Sequence, residues 1–125
     1  MNLTKKVLTF GFAATVLLTS VSTSATTYIS SSLTGTNAET GYKSLGSGTR
    51  YLKGTGSSGS GNAYAMKIVK FFPDKAMTSI SLSSGNSASS SFTAVSSTDD
   101  GITQSYYIRW NGSSSKAAAD VKLTD

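Results

Sequence analysis

The chain of 125 residues contains no cysteine and no histidine. Those two absences remove the Ser-His-Asp triad, the cysteine nucleophile and every zinc site that needs His or Cys ligands, and with them most secreted hydrolases. They also remove disulfides, so a small domain must be held by packing alone, which at this size is feasible but marginal. Charge is scarce as well, at 14% of residues. The acids are Glu39, Asp74, Asp99, Asp100, Asp120 and Asp125. A glycosidase needs only two carboxylates, but four of these six sit in apparent turns or at the terminus, where turn formation and solvation explain them. A Ser/Lys dyad is uninformative in so serine-rich a sequence. The expectation is that the protein is not an enzyme and carries no cofactor.

Long apolar runs are confined to the start. Lys5 and Lys6 precede an apolar stretch from Val7 to Leu18, followed by small residues ending in Thr23-Ser24-Ala25. A basic start, a short hydrophobic region and a small-residue cleavage site make a secretory signal peptide. The run falls short of the roughly 20 apolar residues that span a bilayer, and no basic stop-transfer cluster follows. Residues 1–25 are therefore expected to be removed, leaving residues 26–125 as one exported domain with no transmembrane anchor. A cysteine-free export product points to a bacterium, and to a Gram-positive one, with free release or noncovalent retention at the cell surface as its location.

The 11 basic and 6 acidic residues give +5, which falls to +3 once Lys5 and Lys6 leave with the signal peptide. The remaining basic residues are scattered, unlike the one-faced basic footprint of a nucleic-acid binder. A mild attraction to anionic envelope polymer or lipid headgroups is what such a balance offers.

What the mature part does contain is Ser, Thr and Gly in abundance, with aromatic residues spread throughout, a combination at odds with disorder. Period-two alternation recurs. "AYAMKIVKFF" sets Tyr64, Met66, Ile68 and Phe72 on one parity; "AMTSISL" aligns Ala76, Ile80 and Leu82; "KAAADVKL" aligns Ala117, Ala119, Val121 and Leu123. This spacing predicts half-buried antiparallel strands. The intervening "FPDKA", "SSGNS", "STDDGI" and "WNGSSS" carry turn residues. With further strands at "TYISSSLT" and "RYLK", about seven are expected, forming a small antiparallel β-sandwich or barrel joined mostly by hairpins. "GTGSSGSGN" (54–62) reads as a flexible Gly/Ser loop, and a short helical turn is allowed around residues 38–42.

Asp99 and Asp100 resemble part of a calcium loop but lack its spacing; an Asp-Gly turn is the simpler reading. In "SYYIRWNG" (105–112) the alternation places Ile102, Tyr106, Ile108 and Trp110 toward the core, with Asn111-Gly112 as the following turn. Tyr107 and Arg109 then face outward and, with Tyr51, are the candidate ligand contacts, since exposed Tyr beside Arg suits a glycan or peptide surface. The expected function is that of a monomeric, non-enzymatic extracellular domain binding cell-envelope glycan or anionic wall polymer. Two alternatives come from other classes: a secreted antimicrobial or toxin-like protein, and an extracellular structural protein, against which Lys67 and Lys70 stand as gatekeepers.

Overall fold

A computed structural model describes residues 25–125, so the expected signal peptide lies, but for Ala25, outside the described residues. The described chain is all β, with eight strands: β1 (Thr27–Thr34), β2 (Ala38–Glu39), β3 (Gly48–Ser58), β4 (Ser60–Lys67), β5 (Lys75–Ser83), β6 (Ser87–Ala94), β7 (Tyr106–Gly112) and β8 (Ala118–Thr124). They form two antiparallel four-stranded sheets, sheet I in the order β1-β8-β3-β6 and sheet II in the order β2-β7-β4-β5. The arrangement is a sandwich and not a closed barrel.

Hairpins are the exception. Only β4 and β5 are successive strands paired in one sheet; every other connection carries the chain from one sheet to the other. Turn residues mark where a chain reverses, but which sheet receives the next strand depends on where its apolar face finds cover. Asn111-Gly112 accordingly lies inside β7, and the reversal falls later, at residues 113–117. No helical turn forms at 38–42, where β2 pairs with Trp110 and Arg109 of β7.

Residues 54–62, expected as a flexible loop, are strand on both sides of a tight bend at Gly59, whose φ is 60°. Glycine serves close approach here instead of slackness. A Cβ at Gly56 would overlap the Ser83 carbonyl where β3 meets the end of β5, and a Cβ at Gly61 would come within 2.7 Å of the Trp110 indole.

The core lies between the sheets. Ile80 and Leu82 of β5 and Ala119, Val121 and Leu123 of β8 are buried on the faces their alternation indicates. The parity of β4 is opposite to expectation: Ala63 and Ala65 face the core, and Tyr64 and Met66 face out. The two alanines stand opposite Trp110 and Ile108 of β7, so small residues make room for large ones across the strand pair. Trp110 is fully buried and its Nε1 donates to the Ala117 carbonyl at 3.3 Å. Tyr106 packs on Phe92 with ring centroids 5.7 Å apart, and its hydroxyl accepts the Val95 N–H. Ile102, by contrast, is 50% exposed in the loop between β6 and β7, outside the core to which its parity assigned it.

Candidate functional site

The three residues expected to touch ligand do not form one surface. Tyr107 and Arg109 lie on the outer face of sheet II, whereas Tyr51 lies on β3 in sheet I.

Tyr107 is only 5% exposed because the β4–β5 connection, residues 68–74, folds back over it. Asp74 is the staple: its Oδ1 accepts the Val69 N–H at 3.0 Å, and its Oδ2 accepts the Tyr107 hydroxyl at 2.7 Å. Arg109 donates to the Tyr107 oxygen from Nη2 at 3.1 Å and to Glu39 Oε2 from Nε at 3.1 Å. The Arg109–Glu39 pair is the one salt bridge among the described residues. Burial and the hydrogen bond to Asp74 push the Tyr107 phenol up to about 12, while the Glu39 hydrogen bond raises the Arg109 guanidinium. The cluster Glu39–Arg109–Tyr107–Asp74 is thus internally satisfied, a strut holding a loop in place. A phenol whose pKa is higher folded than unfolded adds stability below its unfolded value near 10 and loses it as pH rises toward 12. Tyr107→Phe should therefore lower the melting temperature modestly at neutral pH, and the difference from wild type should shrink between pH 10 and 12. A constant difference across that range, measured by thermal melts, would contradict the assignment.

Asp99 and Asp100 are carried on a turn in which Gly101, φ 79°, donates its N–H to the Thr98 carbonyl and Ile102 N–H donates to Thr98 Oγ1. Among the described residues no group of three acidic side chains is placed to hold a metal ion.

Tyr51 belongs to a different assembly, one that sequence reasoning missed. The register of sheet I puts Ser30 of β1, Lys122 of β8, Lys53 of β3 and Ser89 of β6 in one row across its outer face. Ser32, Asp120, Thr55 and Ser87 form the next row. Rows are spaced by two residues along each strand and strands by about 4.8 Å, so the face is a grid of hydroxyls with two ammonium groups and the Asp120 carboxylate at its centre. Within the second row Ser32 Oγ donates to Asp120, and Thr55 and Ser87 share a hydrogen bond at 2.7 Å. Tyr51 stands beside the lysine row, 37% exposed, with Lys53 Nζ 5.5 Å from its ring centroid. The two rows line a shallow open trough of about 1110 Å³, and Tyr51 is not among its lining residues.

Lys53 and Lys122 are direct cross-strand partners. Like charges in that position are destabilising, and neither lysine has a carboxylate within 4.0 Å among the described residues. The alternation of β8 was visible in the sequence and strands were expected at 27–34 and 50–53, but the register that sets two lysines opposite each other was not, because β3 and β8 are far apart in the chain. No protein-family model, curated protein or solved structure matches this chain.

Proposed function

We propose that the protein is an exported, non-enzymatic binding domain that takes an anionic cell-envelope polymer on the outer face of sheet I. The opposed pair Lys53–Lys122 carries this reading, because an anion seated between the two ammonium groups turns a repulsive cross-strand pair into a bridging one. A phosphate or carboxylate of the polymer would accept from both lysines. The rows of Ser and Thr supply donors and acceptors for its hydroxyls, and Tyr51 offers an apolar ring edge for a sugar or polyol. An extended polymer suits an open trough better than a compact substrate would.

The non-enzymatic part of the reading rests on how the carboxylates are used. Glu39, Asp74, Asp120 and Asp125 are each engaged by a neighbouring donor, and Asp99 and Asp100 occupy an exposed turn. Arg109 and Tyr107, engaged with each other and with Glu39 and Asp74, serve in this reading as scaffold.

Retention of residues 26–125 on isolated Gram-positive wall tests the proposal. All eight strands fall within 27–124, so this segment carries the whole sandwich. Binding should weaken steeply with salt, and Lys53→Glu/Lys122→Glu should reduce affinity roughly 30-fold, at about 1 kcal/mol per lost lysine contact. Tyr51→Ala should cost less, and Arg109→Ala should leave retention unchanged. Equal retention by the double charge-reversal variant, or none by the wild type at low salt, would refute it.

A further inference from the structure

The end of sheet II carries an unused feature of a different kind. Between β4 and β5 the chain runs Ile68-Val69-Lys70-Phe71-Phe72-Pro73-Asp74, and both phenylalanines point away from the protein, Phe71 89% and Phe72 72% exposed. Phe71 is the most exposed large hydrophobic residue among those described, and with Phe72 it makes two adjacent exposed rings that call for a partner. Phe71 also holds a φ of 66°, the one non-glycine residue in the left-handed region among those described. A bulky side chain there is an outlier that survives only where its surroundings impose it.

The surroundings here are rigid. Asp74 clamps the loop from inside through the Val69 N–H and the Tyr107 hydroxyl, and the buried Gln104 donates from Nε2 to the Ile68 carbonyl at 2.8 Å. The loop is therefore presented ready-formed, without ordering cost on binding. Its rim is basic. Lys67 and Lys75 are direct cross-strand partners at its base, and Lys70 Nζ lies 5.2 Å from the Phe71 ring centroid. Lys43 flanks Tyr106 on the side of β7 away from Lys67. The loop's one acid, Asp74, is consumed by the internal staple. The β6–β7 loop, which carries Asp99 and Asp100, meets this loop through Gln104 and Ser105, both bonded to Ile68.

Two rings ringed by lysines fit an interface with an apolar interior and an anionic surface. A second copy docking tip to tip would bring the three loop lysines of each protomer together, which charge opposes. We infer that this loop is a docking site for anionic lipid bilayers, with Phe71 and Phe72 entering the acyl boundary while Lys67, Lys70 and Lys75 stay at the headgroups. This site is on a different sheet from the polymer-binding face, and each stands or falls alone.

Sedimentation of residues 26–125 with phosphatidylglycerol-rich and with pure phosphatidylcholine vesicles decides the matter. Wild type should bind the anionic vesicles and bind phosphatidylcholine more weakly. Phe71→Asn/Phe72→Ser should lose at least about tenfold in affinity, the loss expected when one buried phenyl is removed. Asparagine tolerates the left-handed backbone, so this variant should melt at or above the wild-type temperature; Phe72→Ser alone, at an unstrained position, gives the same readout if it does not. Lys67→Gln/Lys70→Gln/Lys75→Gln should reduce binding on anionic vesicles to the phosphatidylcholine level. Lys53→Glu/Lys122→Glu should bind vesicles as wild type does. Wild type that binds neither vesicle, phenylalanine variants that bind undiminished, or lipid-free self-association abolished by Phe71→Asn/Phe72→Ser would overturn the inference.

Discussion

Trp110→Ala is expected to destabilise the domain by about 3–5 kcal/mol, the range for truncating a buried large aromatic. Trp110 is fully buried, sits opposite Ala63 and lies against Gly61, neither of which has a side chain able to fill the space left behind. The indole's hydrogen bond is a minor part of the loss, because the Ala117 carbonyl that accepts it also accepts the Gly35 N–H at 2.9 Å. The cavity is the major part. A domain of this size has a total stability of roughly 5–15 kcal/mol, with no disulfide in reserve, so about a fifth or more of it should vanish. Urea unfolding followed by circular dichroism checks this, and a change below about 1 kcal/mol would mean that the strands close over the gap. Trp110→Phe should cost distinctly less, since the ring still covers most of the same neighbours.

The second large effect belongs to a residue with no side chain. Gly56→Ala should destabilise by roughly 3 kcal/mol, toward the upper end for overpacking. The added methyl would run into the Ser83 backbone, not into a side chain that can turn away. At that point Gly56 donates its N–H to the Asn86 carbonyl at 2.9 Å and accepts from the Gly85 N–H at 2.9 Å, tying β3 of sheet I to the connection that leaves β5 of sheet II. Moving it would open the corner of the sandwich. Gly41→Ala is the matched control: nothing lies within 4 Å of its added Cβ and its φ is not positive, so its stability should stay the same or rise slightly. If both variants melt alike, the corner is softer than the geometry implies.

These two residues show how the sequence relates to the fold. Trp110 was legible as a core residue, because "SYYIRW" alternates and the tryptophan falls on the same parity as Tyr106 and Ile108. Gly56 was read as slack, since a run of Gly and Ser looks alike whether it is mobile or pressed against another backbone. Tyr64 and Met66 were set on the wrong face for a related reason. In "NAYAMK" the larger apolar residues share one parity and the alanines the other, and size favours the former. The partner strand decided otherwise, because Trp110 and Ile108 leave room only for alanine. Met66 and Tyr107 are still buried, under a loop that staples itself down through Asp74.

The candidate sites divide in the same way. Tyr51 was named from its type, and it borders the polymer-binding face proposed above; its partners Lys53 and Lys122 come from strands that meet only through the β3–β8 register. Phe71 and Phe72 stood in plain view in "KFFPDK" but were counted into a strand, and only the folded loop leaves them outside.

The sequence by itself determined that residues 26–125 are all β and without disulfides, and it excluded chemistry that needs histidine or cysteine. Period-two alternation and residue inventory are local properties, fixed once the order of amino acids is known. Tertiary structure alone decided which sheet each strand joins, which parity of β4 is core, and which charges face each other. Those are properties of pairs distant in the chain, settled by where large and small side chains fit and by the register that the fit imposes.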